Sequence, residues 1–170
     1  MGRTHDDGVT LIELVVAMAL FSILATIGVY SFRNLQHSLE EQGAQREVVS
    51  ELRDAQTRAV AESTAYCVDF GVMPTTSYSM YRVPGADQGS LVAGFSCTTG
   101  TRLNTYRNQT GTSINSADFE QRDGTHTTFV LFTARGSASA GSLNLARAGS
   151  TKAYSVSVDG LTGRVSSNGS

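Results

Sequence analysis

Proline, cysteine and histidine are all scarce in this 170-residue chain. There are two prolines, and none between Arg33 and Glu62, so nothing in that stretch breaks a helix. There are two cysteines, Cys67 and Cys97, with no CxxC pair and no Cys/His cluster at metal-ligand spacing, which leaves zinc and other soft metals without a ligand set. His37 falls on a predicted helix and His126 in a polar loop, and each reads as a solvated surface residue rather than a ligand. Charge is low and balanced, with 13 basic and 15 acidic residues and a net charge of −2. Nothing in that bulk value suggests a nucleic-acid coat or a polyanion binder, although it leaves room for a local patch. No catalytic carboxylate pair, nucleophile elbow or phosphate-binding loop stands out, and the small-residue stretch Ala134 to Gly141 reads as turns. No enzyme activity, cofactor or metal is expected.

What the chain does have is a long apolar run from Val9 to about Tyr30, with a single acid, Glu13, near its start. About 20 apolar residues suffice to cross a bilayer as a helix. A carboxylate inside such a helix costs at least ~2.5 kcal/mol, so it calls for a functional partner. A polar leader, Met1 to Gly8, precedes the run. A cut after Gly8 would free an α-amine on Val9, and Glu13 is the natural counter-ion for that amine on a neighbouring subunit. A secretory signal peptide has a shorter apolar core that ends at a small-x-small site, whereas Ala17-Met18-Ala19 lies in mid-run here. A plain membrane anchor explains the length but not the glycine, the glutamate or their spacing.

The string Gly8-Val9-Thr10-Leu11-Ile12-Glu13-Leu14 resembles the class III signal of type IV pilins and pseudopilins, usually G-F-T-L-I-E-L. The resemblance implies a prepilin peptidase that cuts after Gly8, Val9 as the N-methylated mature terminus, and Glu13 as the assembly glutamate. Two departures stand out: Val9 replaces the usual Phe, and Asp6 and Asp7 lie beside the cut where basic residues are commoner. Removing residues 1–8 leaves a side-chain charge of about −1.

The predicted helix continues past Tyr30 to about Ser63, roughly 80 Å at 1.5 Å per residue. Leu35, Leu39, Val48, Leu52, Ala55 and Ala59 recur at helical spacings and form one apolar stripe. Asp54 with Arg58, and Arg58 with Glu62, sit four apart and are positioned to pair. Gly28 and Gly43 are its weak points.

Beyond Ser63 about eight short strands are predicted: 66–70, 77–83, 91–95, 101–106, 127–132, 142–146, 153–158 and 163–166. Turn chemistry at Pro84-Gly85, Gly100, Asp123-Gly124 and Asp159-Gly160 separates them, and Asn108 to Thr125 reads as a long exposed loop. The expectation is an α+β chain: leader 1–8, transmembrane or filament-core helix 9–30, amphipathic helix 31–63 and a β-rich, sandwich-like antiparallel head 64–170. In an oxidising compartment the simplest reading of Cys67 and Cys97 is a disulfide, and two buried free thiols are the alternative.

The strings Leu52 to Ala59, Phe132 to Gly136, Leu143-Asn144-Leu145, Tyr154 to Val158 and Gly160 to Val165 further resemble the GspH/FimT branch of minor pseudopilins and pilins. Some relatives in that branch bind DNA through a Gly-Arg-x-Arg pattern. Gly163-Arg164-Val165-Ser166 keeps the first arginine and has serine in place of the second, with Arg135 and Arg147 as potential neighbours. The resemblance thus implies a subunit of an inner-membrane-derived filament with an extracytoplasmic head. Its partners would be the prepilin peptidase, other pilin subunits, membrane lipid and, through Arg164, DNA. A type II secretion pseudopilus and a type IV pilus both fit. So does a tethered extracytoplasmic binding module that never polymerises, although the Glu13 spacing argues against it.

Overall fold

A computed structural model describes residues 10–87, 90, 94–108, 111–150 and 152–169, and the side chains of 28–38, 41 and 169 are not described. Gly8 and Val9 lie outside the described residues, as does most of the strand expected at 91–95. Gly94 and Phe95, the part of that strand that is described, are not in a strand.

One helix, α1, runs Leu11–Ala61. Its end follows from backbone accounting. Ser63 turns left-handed at φ 49°, the Ser63 N–H reaches the Val60 carbonyl at 3.3 Å and the Thr64 N–H reaches Ala59 at 3.1 Å. This is the paired Schellman closure, with serine in the position that glycine normally takes. Two compact units divide the chain, residues 1–39 and 40–170, so the boundary falls inside the helix.

In the first unit, the large apolar side chains from Leu11 to Ile27 are all exposed, from 48% at Leu14 to 83% at Leu11. Among the described residues no helix is long and apolar enough to cross a membrane; the part of the apolar run described with its side chains ends at Ile27.

In the second unit, α1 presents Ala44, Val48, Leu52, Ala55 and Ala59, all fully buried. The expected stripe is therefore corrected at its start. Leu39 is 58% exposed and lies outside the compact unit, whereas Ala44 begins the buried row. Asp54 pairs with Arg58 at 2.8 Å as expected, but Glu62 instead turns toward Arg82 at 3.5 Å and Tyr66.

Nine strands follow: β1 Ala65–Asp69, β2 Ser77–Val83, β3 Thr101–Arg107, β4 Thr112–Glu120, β5 His126–Thr127, β6 Phe129–Phe132, β7 Ala140–Arg147, β8 Tyr154–Val158 and β9 Val165–Gly169. They form two antiparallel sheets, a first in the order β3-β2-β1-β6 and a second in the order β5-β4-β7-β8-β9. The helical stripe shares one core with Tyr66, Val68, Phe70, Tyr78 and Met80 of the first sheet and Ile114, Phe119, Leu143, Leu145, Val156 and Val158 of the second. A smaller core on the other face of the first sheet joins Cys67, Leu131 and Phe129 to Cys97 and Phe95. Cys67 and Cys97 are disulfide-bonded with Cα atoms 5.6 Å apart, which staples the covering segment to β1.

The exposed loop expected over 108–125 is overturned, because β4 occupies 112–120 and sits between β5 and β7. Ile114 and Phe119 are both fully buried although five apart, a spacing that strict alternation forbids. A register shift between Ile114 and Ser116 absorbs the odd residue. Gly141, opposite Phe119, allows the two strands to approach, since a Cβ there would lie 2.2 Å from the Asp118 carbonyl oxygen.

Candidate assembly and processing site

Thr10 opens α1. Its hydroxyl accepts from the Glu13 N–H at 3.4 Å, and its carbonyl accepts from Leu14 N–H at 3.2 Å. A Thr before the first helical residue satisfies amides that would otherwise be orphaned. Glu13 therefore stands in the first turn, where a negative charge is favoured by the helix dipole. Its carboxylate has no partner among the described residues. Downstream, the polar side chains of the apolar run satisfy themselves: Ser22 donates to the Met18 carbonyl and Thr26 to the Ser22 carbonyl, each at 2.8 Å. These back-bonds leave the helix surface from Thr10 to Ile27 with one unanswered polar group, the Glu13 carboxylate. The processing residues Gly8 and Val9 lie outside the described residues, so the structure brings neither to Glu13.

The second candidate region is the turn before β9. Asp159 accepts from the backbone N–H and hydroxyl of Thr162 at 2.9 and 2.8 Å, and these bonds hold its carboxyl below the usual range. Gly163 must be glycine: its φ is +62°, and a Cβ would meet the Gly136 carbonyl oxygen at 2.3 Å and Gln56 Nε2 at 2.8 Å. The Arg164 side chain is exposed and its own N–H donates to the Thr162 hydroxyl. The turn containing exposed Arg135 lies against Gly163, so Arg135 and Arg164 share one end of the head. Arg147 does not join them. It sits at the opposite end of β7 from Gly141, which the register places across β8 from β9's Val165, and it pairs with Glu40. Ser166 bonds the Ser157 hydroxyl at 2.9 Å on the outer sheet face.

A set of contacts that the sequence did not reveal fixes the helix against this edge. Gln45 Nε2 donates to the Ser155 and Asn168 carbonyls, Arg53 Nη2 to Val165 and Gln56 Nε2 to Thr162. Carbonyls of β9 and its turn are thus met by helix side chains, which blunts an edge otherwise open to pairing. The only sequence signal was three polar residues beside the apolar stripe.

A cleft of about 680 Å³ lined by Glu120, Arg122, Asp159 and Leu161 opens beside the turn, and a smaller one holds His126 against Asp118 at 2.5 Å. Among the described residues no group of three or more His, Cys, Asp or Glu is placed to hold a metal.

Comparison with known proteins agrees with this anatomy. The prokaryotic N-terminal methylation motif matches residues 3–29. No curated protein matches by sequence. The fold is similar to that of the type IV minor pilin FimU of Pseudomonas aeruginosa. In one crystal form the TM-score is 0.53 at 16% identity, covering 78% of this chain and 90% of that one. It is also similar to the minor pseudopilin EpsH from the type 2 secretion system of Vibrio cholerae, at TM-score 0.53 and 14% identity, covering 76% of this chain and 97% of that one. At such identities the structural likeness establishes the fold alone, and the motif supplies the independent sequence link. The chain thus carries the prokaryotic N-terminal methylation motif at the start of a long helix, and a two-sheet head whose fold is similar to those of a minor pilin and a minor pseudopilin.

Proposed function

We propose that the protein is a minor pilin or pseudopilin, a structural subunit rather than a catalyst. A prepilin peptidase cuts it after Gly8, Val9 becomes the methylated terminus, and the apolar part of α1 resides in the cytoplasmic membrane until the subunit enters a filament. The head, outside the membrane, is presented on the pseudopilus or pilus. The observation that carries this reading is Glu13: one carboxylate without a partner among the described residues, in the first turn of a helix whose large apolar side chains from Leu11 to Ile27 are all exposed. In hydrocarbon such a charge needs an opposite charge, and the Val9 amine of an adjacent subunit supplies it.

The test has two arms. N-terminal sequencing of the membrane-extracted protein gives Val9 first, and Gly8→Arg leaves the precursor intact. Glu13→Val inserts at least as well as wild type but is lost from sheared or cross-linked filaments. A mature terminus after Ala19, or normal incorporation of Glu13→Val, overturns the reading.

DNA capture is the second reading, and the shared position of Arg135 and Arg164 is the observation that favours it. Two exposed arginines make few phosphate contacts, Arg147 is engaged with Glu40, and Ser166 adds none, so duplex binding at physiological salt is weak.

A further inference from the structure

The cleft beside the turn before β9 has no part in the filament reading. At about 680 Å³ it has the size of a small-molecule site, and Gln121, Ala138, Ala140 and Gly160 line it together with Glu120 and Arg122. Gln121 is only 4% exposed. One end of its amide, Oε1, is held by the Thr125 hydroxyl at 3.0 Å. The other end meets no group among the described residues and is not sealed from solvent, so it opens on the cleft that Gln121 lines. Turning the amide over keeps the same arrangement, one end held and one end open. A buried amide left half-paired is unfavourable unless something entering the cleft completes it.

The rest of the lining narrows what enters. The floor is small and apolar, and Gly160 lies so close that a Cβ there would meet the Ala140 Cβ at 3.1 Å. No aromatic ring lines the cleft among the described residues, so a nucleobase finds no stacking platform. Glu120 and Asp159 repel an anion, and Arg122 repels a cation. A peptide cannot join as an added strand, because the amides along the cleft are already used. Ala138 N–H donates to Gly160, Ser139 N–H to Leu131, Gln121 N–H to Thr125 and Asp159 N–H to Arg164. What fits is a neutral ligand rich in hydroxyl and amide groups.

We propose that this cleft binds a neutral oligosaccharide bearing an N-acetylated sugar. The acetamido methyl rests on the floor of Ala138 and Ala140, and the acetamido amide pairs with the open end of Gln121. Sugar hydroxyls donate to the Glu120 carboxylate and accept from the Arg122 guanidinium, both charge-assisted bonds. Asp159, oriented by the backbone N–H and hydroxyl of Thr162, is a second acceptor. The floor is formed before binding, since the Ala138–Gly160 and Ser139–Leu131 bonds tie it to the turn after β8 and to β6, and a preformed site costs little ordering. The site lies within the head and its chemistry does not depend on the filament reading.

The full-length chain, held in an amine-oxide detergent so that no detergent sugar competes, is titrated by calorimetry with three probes. These are chitotriose, cellotriose, which has hydroxyls where chitotriose has acetamido groups, and the capped neutral peptide Val-Thr-Ser-Thr-Val. Chitotriose binds about tenfold more tightly than cellotriose, the effect of pairing one buried polar group, and the peptide does not bind. Ala140→Leu fills the cleft from an exposed position and abolishes chitotriose binding at an unchanged melting temperature. Gln121→Leu erases the preference for chitotriose over cellotriose. Absence of chitotriose binding, equal binding of the two sugars, peptide binding as tight as that of chitotriose, or chitotriose binding that survives Ala140→Leu overturns the proposal. Cleavage at Gly8 and assembly through Glu13 are read separately, so failure here leaves the filament reading standing.

Discussion

Between Leu11 and Ile27 the large apolar side chains of α1 are all exposed, whereas between Ala44 and Ala59 the same helix buries Val48, Leu52, Ala55 and Ala59 completely. The two stretches also differ in their polar residues. In the first, Ser22 and Thr26 bond to their own helix backbone. In the second, Gln45 and Arg53 reach across to strand carbonyls and Gln56 to a carbonyl of the turn before β9. A one-sided apolar stripe is built for a protein core in water, while a surface apolar on all sides is built for another apolar medium. One continuous secondary-structure element thus carries two kinds of surface, and side-chain placement alone changes between them.

The largest way to test that division is to reduce the Cys67–Cys97 bond. The bridge spans 30 positions, and the chain-entropy estimate puts its contribution at about 3–4 kcal/mol, so the head's melting temperature falls markedly under reductant. On the filament reading proposed above, membrane retention rests on the exposed apolar stretch and does not change. Leu52→Ala comes next. It empties a fully buried position and destabilises the head by about 3 kcal/mol, measured by denaturant unfolding. The same exchange at Leu14 leaves head stability unaltered, and equal losses at the two sites would erase the contrast.

Gly163→Ala tests the polar fastening of β9. The added methyl meets the Gly136 carbonyl and Gln56, and the left-handed backbone disfavours it, for a loss of about 2 kcal/mol. Hydrogen exchange at β9 then rises more than at β1. The smallest effect is a gain. Ser63→Gly relieves a left-handed serine at the helix stop and raises the head's unfolding free energy by about 0.5 kcal/mol.

Much of this anatomy was legible in residue order because local chemistry declares it. The Gly8-to-Leu14 string, the uninterrupted helix-forming stretch to Ala61 and the alternation of Tyr154, Val156 and Val158 each follow from short-range pattern. Strand β4 did not, since a register shift breaks its alternation and Ser113, Asn115 and Ser116 look like loop residues. Leu39 misled in the other direction: its spacing fits the stripe, but the compact unit starts one residue later.

By itself the sequence determined most of the element types, with β4 the exception, the N-terminal methylation motif and the position of Glu13, since each rests on neighbours within a few residues. Tertiary structure alone decided which apolar residues find a core and which two of the three candidate arginines share one end of the head. Those outcomes depend on contacts between residues far apart in the chain, and the spacing of residues along a helix or strand carries no information about what that element will face.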